Sequence, residues 1–503
     1  MTPQAAYDEF LRRAREEALL DSCQALLGWD ELTYMPPGGV AARANQLAYL
    51  AGLHHEKATD PRIGELLAAV EGSDLASEPL SAAAVNVREI HRIYNRLVRL
   101  PRALVEELAR IAPLAQQQWA TSRQEADFAS FCPWLEKIVA LQRQEAECLG
   151  YEHGPYDALL ENYEPGARAA DIARLFTALR AELTPLIVAI AGSRRRRKHA
   201  ILKRNYPVER QHAFAMDAAS ALGFDFQRGR VDTSVHPFSA HIGPGDCRIA
   251  IRYSSNYFSD AFFALLHEVG HGLYEQGLDP EHEGTPLGSI SSVGLHESQS
   301  RLWENQVGRS RPFWEHFFSQ AKSAFPAALG DVSLDNWLFA INDVRPSFIR
   351  VEADEATYNM HIILRFELEQ GLVSGDLKPA DVPGAWAEKF RKFFDLAPPS
   401  DAQGSLQDIH WSFGGIGYFP TYTLGNLYAA QFMEQARTDL PNLDTEVRRG
   451  EFSGLKKWLN DKIHAHGQRW RARDLCRRVT GRDLSPAPLM RYLKGKYAEL
   501  YGL

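Results

Sequence analysis

Residues 259–278, SDAFFALLHEVGHGLYEQGL, contain two histidines four positions apart, with a glutamate directly after the first. Side chains at positions i and i+4 of a helix lie on one face, so His267 and His271 can bind one metal ion at about 2.0–2.1 Å. Glu268 lies too far round the helix to be a third ligand, but it can reach a water molecule on the metal. The spacing predicts a zinc centre with Glu268 as general base; the alternative is a solvated helix face with two surface histidines.

The third ligand of this centre must come from another element, because a catalytic zinc keeps three protein ligands and one open position. Glu297, in the sequence HESQ at 296–299, lies at the start of a predicted helix one loop downstream and is the best candidate. Glu281, His282 and Glu283 are competing choices, but they follow the first helix too closely. We therefore expect one Zn²⁺ per chain, bound by the two histidines and Glu297; such a ligand set also accepts Co²⁺ or Mn²⁺.

This set of groups predicts metal-assisted hydrolysis of an amide bond. The metal would lower the pKa of its bound water toward about 7 and polarise a carbonyl oxygen. Glu268 would take the proton of the water and pass it to the leaving amine. We expect Glu268 to be necessary for turnover and less important for metal binding.

The element that must position the histidines is a helix of about five turns. Ser259 and Asp260 supply an N-cap and a first-turn acid, and Gly277 can end the helix. An apolar stripe on the opposite side from the histidines is formed by Phe262, Leu266, Val269 and Leu273. We expect this stripe to face the core.

The segment directly before the metal helix, residues 226–253, changes from helical to alternating periodicity. Alternation in RVDTSV at 230–235 and CRIAIRY at 247–253, with turn residues IGPGD between them, predicts a small antiparallel sheet. A strand edge at this place could pair with an extended peptide.

The rest of the chain is predicted to be helical, so the expected fold is all-α dominated with a small antiparallel sheet next to the active site. Before the sheet, the predicted helices are 5–28, 41–58, 79–99, 102–127, 133–148 and 168–191, with a break at WDELTYMPPGG and a loop or helix end at YDALLENYEPG. No repeat at a fixed period is found, so a solenoid is not supported.

Composition argues against several classes of partner. The net charge is -8 and the pI is near 6.1, so nucleic acid is not expected as a partner. Five scattered cysteines without a CxxC pair indicate reduced thiols, and no run approaches 18 apolar residues, so we expect a cytoplasmic protein that does not span a membrane. The basic segment 193–204 follows a helix end and is interpreted as a solvated loop.

Short motifs are spread over most of the chain: WDELTYMPPGG near 29, YDALLENYEPG near 156, HPF at 236, HEVGH at 267, HESQ at 296, IRVEAD at 349 and GSLQDIHW at 404. With them, the sequence resembles the carboxypeptidase Taq family, the M32 metallocarboxypeptidases. HEVGH alone is shared by many metalloproteases, whereas its combination with HESQ, IRxxAD and GxxQDxHW is much more specific. One departure is Ala250, where the family pattern DxRxT has a threonine.

The resemblance implies a zincin-like helical metallopeptidase with a deep substrate groove, a homodimer, and removal of single amino acids from peptide C-termini with broad specificity. It implies one catalytic domain over 1–503. An N-terminal helical portion, about 1–165, would cover the groove, and the metal-binding portion would span about 226–430.

The same resemblance points to the residues that would contact a peptide. Arg350 is the candidate for the terminal carboxylate, since a guanidinium can form two parallel hydrogen bonds with it; the alternative is an i,i+4 salt bridge to Asp354. The further substrate-binding candidates are His236 and Arg248. The further catalytic candidates are His410, Tyr418 and Tyr422, and either tyrosine could stabilise the tetrahedral intermediate or form groove wall.

We therefore predict a metal-dependent carboxypeptidase that acts on peptides with a free C-terminus. The nearest alternative is an oligopeptidase that cuts inside short peptides with the same metal site. A more distant one is a non-catalytic helical protein that binds peptide or nucleic acid, with a structural metal. A structural site would need four ligands and no general base, which disfavours this last alternative.

Overall fold

The structure, a computed structural model, describes residues 1–195, 198–234 and 236–503, and helices dominate it. Its α-helices are α1 (Pro3–Thr33), α2 (Val40–Ala58), α3 (Pro61–Val70), α4 (Ala82–Leu97), α5 (Arg102–Glu125), α6 (Phe128–Leu149), α7 (Pro155–Leu160), α8 (Ala169–Gly192), α9 (Val208–Leu222), α10 (Phe258–Gly277), α11 (Val293–Arg301), α12 (Arg311–Ala324), α13 (Pro326–Leu329), α14 (Leu334–Ile341), α15 (Tyr358–Ser374), α16 (Val382–Phe394), α17 (Pro420–Asp439), α18 (Leu443–Arg449), α19 (Ser453–Lys462), α20 (Ala472–Thr480) and α21 (Ala487–Tyr501). Its strands are β1 (Gly229–Thr233), β2 (Phe238–Gly243) and β3 (Asp246–Ile251). The expected helical fold with a small sheet is confirmed.

The chain divides into two compact units, each assembled from segments that are distant in sequence. The first unit contains Met1–Leu97, Arg197–Ile341 and Tyr428–Leu484. The second contains Val98–Arg196, Asn342–Leu427 and Ser485–Leu503. The small sheet and α10 belong to the first unit, and α15 belongs to the second.

The sheet has the strand order β1-β3-β2 and is mixed, not antiparallel throughout as predicted. The two predicted strands correspond to β1 and β3, which pair in parallel, so their predicted antiparallel pairing is wrong. The antiparallel partner of β3 is β2, a strand that was not predicted. Alternation identifies a strand but carries no information about the direction of its neighbour, which explains the error. Position 235 of the predicted first strand lies outside the described residues.

Helix α10 is held by an aromatic core within the first unit. Phe262 stacks on Phe214 with ring centroids 5.2 Å apart, and Trp314 packs against Phe262 at 5.4 Å. The predicted apolar stripe is buried; its members are Phe262, Leu266, Val269 and Leu273. Each such side chain contributes about 1.5–3 kcal/mol on burial, so α10 is a rigid support for its histidines.

A glycine lets α10 and α11 approach closely. A Cβ atom at Gly270 would lie 2.6 Å from the carbonyl oxygen of Gln299 and 2.6 Å from the Cα atom of Ser300. Real Cβ contacts are longer than this, so any larger residue would push the two helices apart. The glycine of HEVGH therefore sets the distance between the helices that carry the histidines and Glu297.

Some boundaries differ from the sequence prediction. Helix α1 continues to Thr33, through the first residues of WDELTYMPPGG, because the helix breakers start only at Pro36. Helix α10 starts at Phe258 rather than after a Ser259 cap, and its N-cap residue is Tyr257, whose side chain does not cap the helix. The motif YDALLENYEPG contains most of a short helix, α7.

Helix α8 is, among the described residues, the one helix that is long and apolar enough to cross a membrane, with a mean hydropathy of 1.5 over its most apolar window. Core helices of soluble proteins pass the same test, so one such helix is weak evidence for a membrane span. Four side chains of one α8 face are buried in the second unit: Ile172, Phe176, Leu179 and Leu183.

In the basic segment 193–204, whose positions 196 and 197 lie outside the described residues, the Arg195 guanidinium donates to carbonyls at the end of α21.

Candidate active site

Three side chains of the ligand type meet in the first unit, two from α10 and one from α11. The Glu297 Oε2 atom lies 3.4 Å from His267 Nε2 and 3.5 Å from His271 Nε2. In a tetrahedral zinc site with bonds of about 2.0–2.1 Å, the ligand atoms are about 3.4 Å apart. The side chains therefore fit a divalent ion, and they form the one such group found in the described part of the chain.

A second carboxylate lies behind His267. Glu304 sits in a π-helical turn, Leu302–Val307, that continues α11, and its Oε2 atom lies 3.0 Å from His267 Nδ1. Arg301 donates to both Glu297 and Glu304, over 2.7 Å and 3.1 Å. Such carboxylate partners fix the tautomer and the orientation of a ligating histidine, and π-helical turns frequently occur at functional sites.

The two histidines have opposite pKa shifts because their partners differ. Burial lowers the pKa of His267, but the carboxylates of Glu297 and Glu304 outweigh it and raise the pKa to about 10. Burial, with the neighbouring His296, lowers the pKa of His271 to about 3 despite its contact with Glu297. His267 is thus the more strongly ion-paired of the two histidines.

Glu268 lies between α10 and the edge strand β2. It is buried, with 8% of its surface exposed, and it is hydrogen-bonded by Ser239 of β2. Burial raises the pKa of Glu268 to about 7 against the lowering effect of His267. A carboxyl group with a pKa near neutrality is suited to accept and return a proton.

A third group of side chains supports His271 from the other side. The ring of His296 stacks on His271 with centroids 4.2 Å apart. His296 Nε2 lies 3.0 Å from Glu275 Oε1, and His241 Nδ1 of β2 lies 3.4 Å from Glu275 Oε2. These contacts connect β2, α10 and α11 around His271.

The other predicted residues of the first unit are not members of the ligand group. His236 is exposed just before β2, and its carbonyl accepts a hydrogen bond from the Ser234 hydroxyl. The Arg248 guanidinium forms two hydrogen bonds with Asp246 and lies 4.2 Å from the centre of the Trp29 ring. The competing ligand candidates, Glu281, His282 and Glu283, are not part of the ligand group.

Arg350 lies in a buried cluster of the second unit. Its Nε donates to Asp408 Oδ1 over 2.9 Å and its Nη1 to the Tyr358 hydroxyl over 2.8 Å. The alternative salt bridge to Asp354 is not formed, because that carboxylate accepts backbone amides, including those of Arg345 and Thr357. Arg350 is therefore held by a residue of the GSLQDIHW motif rather than by its own segment.

The remaining three candidates pack beside Arg350. His410 Nε2 lies 3.1 Å from the Tyr422 hydroxyl, and the Tyr422 ring lies 4.9 Å from the Arg350 guanidinium carbon. The Tyr418 ring contacts His410 with centroids 5.4 Å apart. Burial, and then Arg350, lower the pKa of His410 to about 3, so its ring is neutral.

Sequence reasoning missed the side chains that orient these groups. Glu304 has a detectable signal, since it follows Glu297 by seven positions, or about two helical turns, and ligating histidines almost always have a carboxylate or carbonyl partner. Arg365, which contacts Asp408, has no such signal because it lies in none of the motifs. Asp408 lies in the GSLQDIHW motif, but the motif does not indicate that it bridges two arginines.

Comparisons with known proteins cover nearly the whole chain. Residues 9–497 match the family model described as carboxypeptidase Taq (M32) metallopeptidase. Thermostable carboxypeptidase 1 of Thermus thermophilus is 50% identical, with 100% of both chains covered, and carboxypeptidase 1 of Bacillus subtilis is 36% identical, with 95% of each chain covered. The crystal structure of the M32 carboxypeptidase from Deinococcus radiodurans superposes with a TM-score of 0.94 at 39% identity, covering 99% of this chain and 100% of that one.

Proposed function

The chain belongs to the carboxypeptidase Taq (M32) family and is a metallocarboxypeptidase, and we propose that it releases single amino acids from peptide C-termini, with broad specificity, through the group His267, His271 and Glu297. The spacing of these three ligand atoms is the observation that carries the proposal. A divalent ion bound there supplies a Lewis acid for the peptide carbonyl and lowers the pKa of a water molecule.

We propose zinc as the ion. Two imidazole nitrogens and one carboxylate oxygen at tetrahedral spacing are the donor set of catalytic zinc sites, although cobalt and manganese bind similar sets. Elemental analysis of protein purified without added metal tests the identity. One zinc per chain is expected.

Glu268 is proposed to be the general base. Its buried carboxyl group follows the first ligand on α10 and is oriented by Ser239, so it can take a proton from the attacking water and return it to the leaving amine.

The neighbouring β2 is an edge strand, which supports pairing with an extended peptide; His236, just before it, is proposed to bond a substrate carbonyl. Arg248, held by Asp246, is proposed to contact substrate through its remaining donors.

Arg350 is proposed to bind the terminal carboxylate of the peptide. Charge-assisted pairs of hydrogen bonds between a guanidinium and a carboxylate are strong and specific. His410, Tyr418 and Tyr422 pack beside this guanidinium and are proposed to be catalytic, as donors to the substrate or to the developing oxyanion.

The experiment that tests this function compares a peptide with a free C-terminus and its C-terminal amide. Release of the last amino acid from the free acid is expected, with loss of this activity after treatment with a chelator and recovery when zinc is returned. The amide should be cleaved poorly. Equal cleavage of both, at internal bonds, would instead support an oligopeptidase.

We propose further that the chain acts as one catalytic domain, as a homodimer in the cytoplasm. Neither unit is a continuous segment, which supports a single domain. All five cysteines are free, which fits a reducing compartment. Light scattering of the purified protein tests the dimer, and cell fractionation tests the location.

A further inference from the structure

Arg365 is a fully buried arginine of α15 that takes part in the cluster around Arg350. Its Nε donates to Asp408 Oδ2 over 2.6 Å and its Nη1 to the His361 carbonyl over 2.7 Å. Its guanidinium carbon lies 4.5 Å from the centre of the Trp386 ring. With 0% of its surface exposed, Arg365 cannot be reached by solvent.

Asp408 is shared between two arginines, one on each carboxylate oxygen. Arg350 binds Oδ1 and Arg365 binds Oδ2. Among the described residues, no other carboxylate is hydrogen-bonded to either guanidinium. Two cations on one anion leave this buried triad with a net charge of one positive unit.

Neighbouring carboxylates do not cancel this charge by direct contact. Glu369, one helical turn after Arg365, accepts hydrogen bonds from the Tyr156 hydroxyl, the Trp411 ring nitrogen and the Gly417 amide. Burial raises the pKa of Glu369 to about 7, which favours its neutral form. The charge of the triad is therefore available to an anion that enters.

A buried Arg–Asp pair without a second arginine would be neutral. A neutral pair has little net attraction for a third, negatively charged group, whereas a net cation in a low-dielectric environment attracts an anion strongly. Buried net charge is costly to the fold, which makes it a feature to be explained by function.

We propose that Arg365 is a positioning residue that acts through Asp408: it occupies one carboxylate oxygen and so leaves the positive charge of Arg350 uncompensated for the terminal carboxylate of the peptide. The proposal rests on the carboxylate-binding role given to Arg350 above. Gln407 completes the support, because its side-chain oxygen accepts the Arg350 amide and its nitrogen donates to the Phe348 carbonyl.

The test replaces Arg365 by methionine, alone and together with Asp408→Asn. The single variant leaves Arg350 neutralised by Asp408, so KM for a free-acid peptide is expected to rise by roughly ten- to a hundredfold, as for loss of a charged hydrogen-bonded partner. The double variant restores one net positive charge, so KM is expected to return toward the wild-type value. If Arg365 had a merely structural role, the opposite result would be expected: KM of the double variant would be raised as much as that of the single variant, or more.

Control variants separate folding from charge. Arg180→Met removes another arginine that pairs with α15, through Glu367, and should leave KM unchanged. If Arg365→Met does not fold, Arg365→Gln provides the neutral side chain and Arg365→Lys the charged one; only the glutamine variant should raise KM. Equal KM values for these two would overturn the proposal.

Arg350→Met distinguishes this proposal from the proposed function on which it rests. If Arg350→Met leaves the preference for free acid over amide intact, the carboxylate-binding role itself is wrong. If Arg350→Met abolishes this preference while every Arg365 variant retains wild-type KM, only the role of Arg365 is refuted.

Discussion

Glu304 Oε2 lies 3.0 Å from the Nδ1 atom of His267, on the side of the ring opposite the atom that faces Glu297. The contact requires Nδ1 to carry the proton that it donates, so Nε2 is left free for the proposed metal ion. Arg301 and Arg309 both reach Glu304, over 3.1 Å and 3.4 Å, and keep it ionised. Glu304, which is outside the proposed ligand group, thus selects the tautomer of His267.

Glu304→Gln should therefore weaken metal binding without removing a ligand. The amide can still occupy the site but no longer offers a charged acceptor, so metal affinity is expected to fall by roughly 10–100-fold. Competition with a chromogenic chelator measures the affinity. Glu281→Gln, an exposed residue of the following loop, is the matched control and should leave affinity unchanged.

Glu268→Gln should separate turnover from metal binding. The amide cannot take a proton from water, so kcat is expected to fall by roughly 10²–10⁴-fold. The three ligand atoms are untouched, so metal content should remain near that of the wild type. Turnover near the wild-type rate, in protein with full metal content, would remove Glu268 from the mechanism.

Gly270→Ala should disturb both the fold and the metal centre. The added methyl group would lie 2.6 Å from backbone atoms of α11 and must move that helix, a strain of about 1–3 kcal/mol in the free energy of unfolding. Because Glu297 is on α11, metal affinity should fall as well. Gly495→Ala on α21 is the control, since nothing lies within 4 Å of its added atom; there the better helix propensity of alanine should stabilise by up to about 1 kcal/mol.

The sequence was sufficient for the elements whose signal is local. The i,i+4 histidines and the apolar stripe of α10 depend only on helix periodicity, and the turn between β2 and β3 depends on a Pro-Gly pair. The parallel pairing of β1 could not be predicted, because alternation gives no information about the direction in which β1 runs relative to β3. The continuation of α1 to Thr33 was missed because the break was placed at the start of WDELTYMPPGG, whereas its helix breakers start only at Pro36.

The residues of the candidate site likewise fall into those that the sequence predicts and those that it does not. Residue types and motifs identified the groups expected to meet metal or substrate, but not the partners that hold them. Asp408 between Arg350 and Arg365 joins three segments, 350–352, α15 and the loop before His410, and no spacing along the chain encodes that meeting. The roles of Glu297 and Arg350 stay predictions until the variants are measured.

Glu369 of α15 is a fully buried carboxyl group with three hydrogen-bond donors. Burial raises its pKa to about 7 and outweighs the donors, which lower it. Between its unfolded pKa, near 4.5, and pH 7, the folded state holds a proton that the unfolded state has released. The contribution of this group to the free energy of unfolding is therefore fully present below about pH 4.5 and declines as the pH rises to about 7. Above that pH the contribution is lost and changes no further.

Glu369→Gln should remove this pH dependence. The lost hydrogen bonds lower the unfolding free energy by the same amount at every pH, but the change between pH 5 and pH 8 should become smaller by about 2.5 kcal/mol, because most of the pKa shift to about 7 falls within this pH range. Urea unfolding of both proteins at the two pH values gives the difference, in which all other titrating groups cancel. An identical pH dependence in variant and wild type would mean that Glu369 is already ionised at pH 5, and that its three donors, not burial, control its pKa.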